Sequence, residues 1–232
     1  MEDPVAALVF YVVFLFSTTL HEAGHAWAAK RGGDLTAYHG GQVSIDPMPH
    51  IKREPFGMVF LPILTVIISG WPFGFASAPY DPHWARANPS RAAWMSLAGP
   101  AANLGLILLA VLAIRIGITL DVFYPPNQIN FAAITASEVS DFWSGAGYLL
   151  GVFFSLNLVL FILNMFPIPP LDGSGAVPLL LSRGAADRWR DFVNQPMLGW
   201  IGIIIAWRIF DEIFMPLFFG AVHLLYPEMN YR

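Results

Sequence analysis

One apolar stretch that ends in charged residues decides the fold: residues 5–29 read VAALVFYVVFLFSTTLHEAGHAWAA. A helix needs about 20 mostly apolar residues to cross the hydrocarbon core of a bilayer, and this stretch is long enough to do so. The chain begins with Glu2 and Asp3 ahead of it, whereas a secretory signal begins with basic residues. We therefore expect residues 5–29 to form a retained transmembrane helix.

Three more apolar segments are long enough to cross a bilayer, at residues 92–120, 142–166 and 197–226. Of the 232 residues, 56% are hydrophobic and only 12% are charged, which is about half the charged share of a typical soluble domain. The sequence therefore predicts an all-α, multi-pass integral membrane protein with a single domain over residues 1–232. Its core is expected at about residues 5–182, followed by a C-terminal helix at about residues 196–226.

Composition also excludes several kinds of partner and chemistry. The 12 Lys and Arg residues against 16 Asp and Glu residues give a net charge of −4 with no basic tract, so we expect no nucleic-acid partner. The absence of cysteine removes disulfides, thiolate metal ligands and cysteine nucleophiles. The lipid bilayer is the partner that the composition itself implies.

The basic residues predict an orientation in the membrane. Nine of the 12 Lys and Arg residues fall within residues 30–91 and 183–190, and none lies at residues 116–182. Cytoplasmic loops carry an excess of Lys and Arg. We therefore expect both basic stretches on the cytoplasmic side and the loop at residues 119–141 on the other side.

Two further segments carry turn residues. Residues 58–78 are apolar but are interrupted by prolines and glycines, which favours a re-entrant hairpin packed against protein over an ordinary kinked span. Residues 35–46 place Gly40 and Gly41 between two short stretches, which is the pattern of a β-hairpin. A plain glycine loop is the alternative for that second segment.

The motif HEAGH at residues 21–25 lies at the inner end of the first predicted helix. His21 and His25 are four residues apart and so share one helix face, where both imidazoles can bind one zinc ion. Glu22 is rotated by about 100° from His21, so it can act on a zinc-bound water without binding the metal. Ionisable groups in such a place are costly and usually functional. The alternative is a pair of interfacial histidines that bond to headgroups or loops.

Asp172 is the candidate third ligand. A catalytic zinc ion usually has three protein ligands and one open position. Asp172 follows the run PIPPL at residues 167–171, which ends a predicted helix on the same side of the membrane as His21. An Asp-Gly pair alone is typical of a solvated turn, but the HEAGH motif at the same depth favours a ligand.

Together these motifs resemble those of the site-2 protease family of intramembrane zinc metalloproteases. The family pattern HExxH is followed here by AGPAAN at residues 98–103 and by NMFPIPPLDG at residues 164–173. Matching segments extend over about residues 17–182. The loop after the first helix is similar to that of the short bacterial branch, which lacks PDZ and CBS domains.

The chain also departs from the pattern of that branch. Asp46 stands where Asn is usual, and Ser77 stands where Lys is common. His50 and Glu54 are spaced by extra residues. These departures leave the proposed zinc ligands unchanged but put a branch-specific role of the loop in doubt.

The resemblance implies a zinc-dependent endopeptidase with one Zn²⁺ per chain. It implies His21, His25 and Asp172 as metal ligands and Glu22 as the general base. It also implies a transmembrane protein as substrate and a prokaryotic cell membrane as location. The predicted orientation puts the expected active site nearer the cytoplasmic side. Asn164 matches the family asparagine that contacts the substrate or steadies the oxyanion, although a helix-packing amide is equally consistent with the sequence.

Other polar residues each have two interpretations. Asn103 lies within an apolar helix, where it either serves the site or bonds to a neighbouring helix. His50 either reaches the site from its loop or is a solvated loop residue. Arg208, Asp211 and Glu212 fall near the middle of the last predicted helix. They either line a polar path or mark a break towards an interfacial segment.

The predicted function is hydrolysis of a peptide bond in or near a transmembrane segment of a membrane protein. A substrate helix must unwind first, because its carbonyls are bonded within the helix. The predicted strands at residues 35–46 are a candidate to hold the unwound segment by β-augmentation. The alternatives are a catalytically silent metal-binding protein that retains membrane clients, and a small transporter, for which an inverted repeat would be expected. The oligomeric state does not follow from the sequence.

Overall fold

The computed structural model describes residues 4–231, and helices make up almost all of its regular structure. In chain order the α-helices are α1 (Pro4–Gly32), α2 (Thr36–His39), α3 (Pro47–Arg53), α4 (Leu61–Ser69), α5 (Pro82–Ala87), α6 (Pro89–Thr119), α7 (Asp141–Asn164), α8 (Asp172–Ala176), α9 (Arg183–Val193) and α10 (Pro196–Leu225). A π-helical turn, Phe56–Phe60, precedes α4, and a 3-10 turn, Val177–Leu180, follows α8. The ends of the predicted domain, residues 1–3 and residue 232, lie outside the described part.

Within residues 4–231, three helices are long and apolar enough to cross a membrane: α1, α6 and α7. They correspond to three of the segments predicted from hydropathy, with ends that differ by at most about three residues. α6 packs along both α1 and α7, which also touch each other. The predicted all-α architecture with three core helices of membrane length is confirmed.

Small residues let α1 and α6 approach closely. A Cβ atom on Gly24 of α1 would lie only 2.7 Å from the carbonyl oxygen of Ala98 on α6. Close contacts through small residues are usual between membrane helices, where van der Waals packing replaces the hydrophobic effect as the cause of association. This contact fixes the position of the HEAGH motif relative to α6.

α10 is one continuous helix, which excludes the alternative of a break near Asp211. It continues through Pro216 and packs through Phe214 against the loop before α7. Arg208, Asp211 and Glu212 interrupt the apolar run near the middle of this helix. α10 therefore carries too many charged residues to be counted among the helices that could span a membrane. All three charged side chains are exposed, which excludes a role in lining an internal polar path.

The segment after α3 leaves as a helix and returns as extended chain. Gly70 ends α4 with a φ of 75°, a left-handed conformation that glycine adopts without steric penalty. The extended return arm, residues 71–81, contacts the helical arm where Phe75 N–H donates to Gly57 O over 3.1 Å. The segment therefore turns back like a hairpin, and its depth in a bilayer stays a prediction.

The predicted β-hairpin at residues 35–46 is wrong, because this stretch begins with the helical turn α2 and no strand is present in the described chain. Asp34 causes the difference. Its carboxylate accepts hydrogen bonds from the N–H and hydroxyl of Thr36, at 2.9 and 2.6 Å, and from Asp81 N–H at 2.8 Å. Burial works against the charge, yet these hydrogen bonds hold the pKa of the Asp34 carboxyl below its ordinary value. The carboxylate thus starts a helical turn and ties the return arm to the end of α1.

Both basic stretches lie at one end of the molecule. Arg86 and Asp191 form an ion pair at 3.0 Å that joins α5 to α9. Arg91 Nη1 donates to Gly32 O at the end of α1 over 3.1 Å. The loop between α6 and α7 lies at the other end of these helices. This separation of charge is the one that the predicted orientation requires, and the side of the membrane is left to experiment.

Candidate metal centre

The first helix presents the HEAGH motif to the interior of the protein. His21, Glu22 and His25 are only 6%, 5% and 6% exposed, and their possible ligand atoms lie within 4.8 Å of one another. His21 and His25 share the face of α1 that contacts α6. Burial of three ionisable side chains inside an apolar helix requires a compensating interaction.

Asp172, at the start of α8, completes a triangle of possible ligands. Its Oδ2 atom lies 3.0 Å from His21 Nε2 and 3.3 Å from His25 Nε2, and the two Nε2 atoms are 3.0 Å apart. Tetrahedral ligands at about 2.0–2.1 Å from a zinc ion are separated from one another by about 3.3 Å. The structure therefore brings the three predicted ligands together at the spacing that zinc requires.

Hydrogen bonds on the far side of each imidazole determine where its lone pair points. His21 Nδ1 is 2.6 Å from Asn103 Oδ1, and His25 Nδ1 is 2.7 Å from the carbonyl oxygen of Met95. Both partners are acceptors, so each Nδ1 carries the proton. In neutral histidine each Nε2 then presents a lone pair to Asp172 and to the other Nε2. Three possible ligand atoms thus face one another, an arrangement that a metal cation stabilises.

A chain of buried amides orients Asn103. Its Nδ2 atom donates to Asn157 Oδ1 over 2.9 Å. Asn157 Nδ2 donates in turn to Ser17 Oγ over 2.9 Å and to Phe153 O over 2.8 Å. A carbonyl oxygen only accepts, so Phe153 fixes the orientation of the Asn157 amide. Asn157 then orients Asn103, which in turn orients His21.

Ser17 and Asn157 are not among the predicted site residues. Each is a polar residue within an apolar helix, which is the signal that singled out Asn103. The same criterion, applied to α1 and α7, would have found both. All three side chains are fully buried, so the hydrogen bonds among them form inside the three-helix core.

Gly99 leaves the room that a metal ion needs. A Cβ atom at this position of α6 would overlap the Nε2 atoms of both His21 and His25. In addition, Glu22 Oε2 is buried with no hydrogen-bond partner in the described chain. The neighbouring set of two imidazoles and one carboxylate is of the kind that zinc binds. The residues present, with Asp172 as the carboxylate, therefore fit a zinc ion.

A cavity of about 360 Å³ opens beside the triangle. Glu22, His25 and Asp172 form one part of its lining, and the extended return arm and α9 contribute facing walls. The Trp189 indole N–H donates to Ser174 O over 2.8 Å, which holds α9 against α8. The cavity gives water and a peptide a route to Glu22 and to the possible ligands.

Two other predicted site residues form hydrogen bonds within their own segments. Asn164 is in the last turn of α7, where its amide donates to Leu160 O over 3.0 Å, and it does not line the cavity. His50 is 1% exposed, and its Nε2 atom lies 3.1 Å from Ser44 O. The interpretation of His50 as a solvated residue is therefore wrong, and its contact is with its own loop.

The sequence matches one family model and several named relatives. The sequence model of Peptidase family M50 matches residues 9–204. The protein named "Putative zinc metalloprotease YwhC" from Bacillus subtilis is 30% identical over 183 residues, which cover 78% of this chain and 73% of that protein. No solved structure gives a significant match.

Two mycobacterial relatives share the name "Putative zinc metalloprotease Rip2". The Mycolicibacterium smegmatis protein is 34% identical over 164 residues, covering 71% of this chain and 54% of the relative. The Mycobacterium tuberculosis protein is 32% identical over 179 residues, covering 75% of this chain and 60% of the relative. The matched part of this chain therefore spans little more than half the length of these two relatives.

The matched segment contains the HEAGH motif and Asp172. The expected enzyme class, a metalloprotease, and the expected metal, zinc, are confirmed by the family, by the relatives and by the group of ligand atoms on α1. The chain belongs to peptidase family M50, the site-2 protease family.

Proposed function

We propose that the protein is an intramembrane endopeptidase that cleaves membrane proteins in or beside a transmembrane segment. The observation that carries this proposal is the position of the triangle: His21, His25 and Asp172 meet inside a cluster of helices of membrane length. Family membership supports the peptidase chemistry. The surrounding helices support a substrate that reaches the site from within the bilayer.

The proposed ligands have separate partners that hold them in place. His21, His25 and Asp172 would bind the zinc ion and leave one position open. Bound there, zinc supplies a Lewis acid that acidifies water and polarises the scissile carbonyl. The Nδ1 atoms of both histidines donate to Asn103 and Met95, which keeps the imidazoles from turning away.

Glu22 is the proposed general base. It follows His21 on α1 but is turned by about 100° from it, and it lines the cavity. An unpaired buried carboxylate oxygen is costly, and Glu22 Oε2 is such an atom. Glu22 would take the proton of the attacking water and pass it to the leaving amine.

The extended return arm is the proposed docking strand for an unwound substrate, in place of residues 35–46. Ala76, Ser77 and Ala78 line the cavity, and their N–H groups have no hydrogen-bond acceptor in the part of the chain that the structure describes. Ser77 O accepts from Gln42 and Arg53, which holds the arm in place. In extended chain the N–H and C=O of one residue share an edge, so Ala76 and Ala78 are the residues that offer N–H groups on the opposite edge. Free N–H groups on extended chain are what β-augmentation requires.

Proline at the arm tests this docking. Ala76→Pro removes an N–H group that a substrate strand would use, so we expect slower cleavage with unchanged zinc content. Proline in the loop on the opposite end, as Gln128→Pro, is the control and should leave cleavage unchanged. Equal cleavage by Ala76→Pro and wild type would eliminate the arm as docking strand.

The triangle lies close to the basic end of the molecule. His25 precedes Arg31 by six residues on α1, which is about 9 Å along a helix. Basic residues favour the cytoplasmic side. We therefore place the site nearer the cytoplasmic face of a prokaryotic cell membrane.

Mapping of cleavage products tests the proposed function. Membranes from bacterial cells carrying the wild type, Glu22→Gln or the exposed control Glu228→Gln are compared by mass spectrometry of new protein termini. We expect termini in or within a few residues of transmembrane segments, present with wild type and Glu228→Gln and absent with Glu22→Gln. New termini confined to soluble domains would contradict intramembrane cleavage.

A further inference from the structure

A second cavity lies on the outer side of the α1–α6 pair and takes no part in the metal centre. It is a groove of about 510 Å³, within the usual size range of ligand pockets. Small side chains form its floor and long ones its walls, and its lining includes Trp27, Ala28, Arg31, Arg91, Trp94 and Ala98. Trp27 is rotated by about 200° from His25 around α1, so the groove and the metal centre open on opposite faces of this helix.

The groove carries two positive charges and no negative one. Arg31 and Arg91 line it, and none of its lining residues is acidic. Arg91 donates one N–H to Gly32 O over 3.1 Å, and Arg31 lies over the Trp27 ring at 5.4 Å. Neither arginine forms an ion pair within the described chain. Most of their guanidinium N–H groups are therefore available for an anion such as a phosphate group.

The position of the groove matches that of lipid headgroups. It lies where the apolar helix α1 meets the basic stretch at its end. Trp27 and Trp94 are 53% and 63% exposed, and tryptophan is enriched at the membrane–water interface. Exposed Leu104 and Leu108 continue along α6 on the face of Ala101. The surface thus joins a cationic end to an apolar strip, as a phospholipid joins a phosphate to an acyl chain.

We propose that this groove binds one anionic glycerophospholipid from the leaflet at the basic end of α1. The phosphate lies between Arg31 and Arg91, and one acyl chain follows Leu104 and Leu108. Arginine suits this role because its planar guanidinium can donate two hydrogen bonds to one phosphate. Basic pockets between transmembrane helices are typical sites for anionic lipids. The proposal does not depend on proteolysis, because the two cavities share no lining residue.

Fluorescence quenching in detergent tests the proposal. The purified full-length protein in dodecyl maltoside micelles is titrated with brominated phosphatidylglycerol or with brominated phosphatidylcholine. Bromine quenches tryptophan only at short range. The chain has eight tryptophans, so the part of the quenching that is lost in Trp27→Phe/Trp94→Phe reports lipid in the groove. Each basic residue near a membrane surface contributes roughly fivefold to the binding of anionic lipid. We therefore expect phosphatidylglycerol to quench at an about 25-fold lower concentration than phosphatidylcholine.

Variants assign this preference to the groove. Arg31→Gln/Arg91→Gln should bind both lipids alike, whereas Arg31→Lys/Arg91→Lys should keep most of the preference. Arg183→Gln/Arg188→Gln removes two exposed basic residues of α9 outside the groove and should behave as wild type. Zinc content and melting temperature show whether each variant is folded.

Three results would overturn the proposal. The first is equal quenching of the wild type by both lipids. The second is a preference for phosphatidylglycerol that survives in Arg31→Gln/Arg91→Gln. If that variant is unfolded, undiminished quenching of Trp27→Phe/Trp94→Phe by brominated phosphatidylglycerol overturns the proposal instead. The third is complete displacement of the lipid by excess inorganic phosphate, which would reveal a free-anion site.

Discussion

At the scale of single residues, the decisive feature is that His21 and His25 turn their lone pairs towards each other and towards Asp172. Their Nε2 atoms and the Asp172 carboxylate lie 3.0–3.3 Å apart, where a shared cation stabilises all three. The opposite side of each ring is held by an acceptor, Asn103 or Met95. Contacts within the fold therefore set the positions of both imidazoles.

Asn157 is expected to control zinc affinity although it touches no ligand. Replacing it by leucine removes the acceptor of Asn103 Nδ2, so the Asn103 amide can turn and the preferred tautomer of His21 is lost. Loss of such an outer partner typically weakens metal binding about 10–100-fold. Competition with a chelator of known affinity measures the zinc dissociation constant of Asn157→Leu against wild type.

Asn164→Leu is the matched control for that measurement, because Asn164 lies on the same helix but its amide donates to Leu160 O of its own helix. It should keep the zinc affinity of the wild type. If folded Asn157→Leu binds zinc as tightly as Asn164→Leu does, the amide chain does not control the metal centre. Melting temperatures of both variants establish that they are folded.

Sequence reasoning names candidate ligands from local motifs, whereas the contacts of a buried amide depend on how the helices pack. His21 and His25 follow from the four-residue helical repeat. The prediction of Asp172 rests on the helix break before it, which is expected on the same side of the membrane as His21. Asn157 has no spacing relation to the HEAGH motif, since its place beside Asn103 depends on how α6 and α7 pack.

At the scale of elements, α6 forms the back wall of the metal centre, and Gly99 is the position where this wall comes closest. A Cβ atom there would overlap the Nε2 atoms of His21 and His25. Further along the same helix, a Cβ atom on Gly105 would meet nothing within 4 Å. The packing therefore requires a small residue at Gly99 and imposes no such limit at Gly105.

Gly99→Ala is expected to remove zinc binding, because its methyl group takes the space between the two imidazoles. Gly105→Ala should keep about one zinc per chain and should be as stable as the wild type or more so, since alanine favours a helix over glycine by about 1 kcal/mol. Zinc analysis and thermal unfolding of both purified variants check this. Full zinc occupancy in Gly99→Ala would show that the imidazoles are placed differently.

Helices are predicted well here and turns are not. The ends of α1, α6 and α7 follow from hydropathy, because an apolar run of membrane length has few alternatives. The Gly40–Gly41 pair suggests a hairpin turn, but the side chain of Asp34 starts a helical turn first. The position of Asp34 depends on its tertiary contact with Asp81, and the local sequence around Gly40 and Gly41 does not reveal that contact.

At the scale of the whole molecule, basic charge at one end predicts the orientation in the membrane. The chain has no cysteine, so a single introduced cysteine can be labelled alone. A membrane-impermeant maleimide should label Asn127→Cys, in the loop between α6 and α7, on intact cells. It should label Ser182→Cys, before α9, only after permeabilisation, because both positions are exposed but lie at opposite ends.

Ser155→Cys, which is fully buried on α7, should resist labelling in either condition and serves as the control. Labelling of Ser182→Cys on intact cells would reverse the orientation. It would also move the proposed active site to the outer side of the membrane. The metal centre itself would be unaffected, because its geometry does not depend on which side it faces.

The proposed mechanism requires that Glu22 performs hydrolysis beside a zinc ion that other residues hold. The decisive test measures zinc content and the rate of substrate cleavage together in purified wild type and Glu22→Gln, with a substrate identified from its cleavage products. We predict about one zinc per chain in both proteins and a loss of rate of about 10²–10⁴-fold in Glu22→Gln, the range typical for removal of a general base. Cleavage by Glu22→Gln at the wild-type rate, or a wild type that cleaves without zinc, would contradict this mechanism.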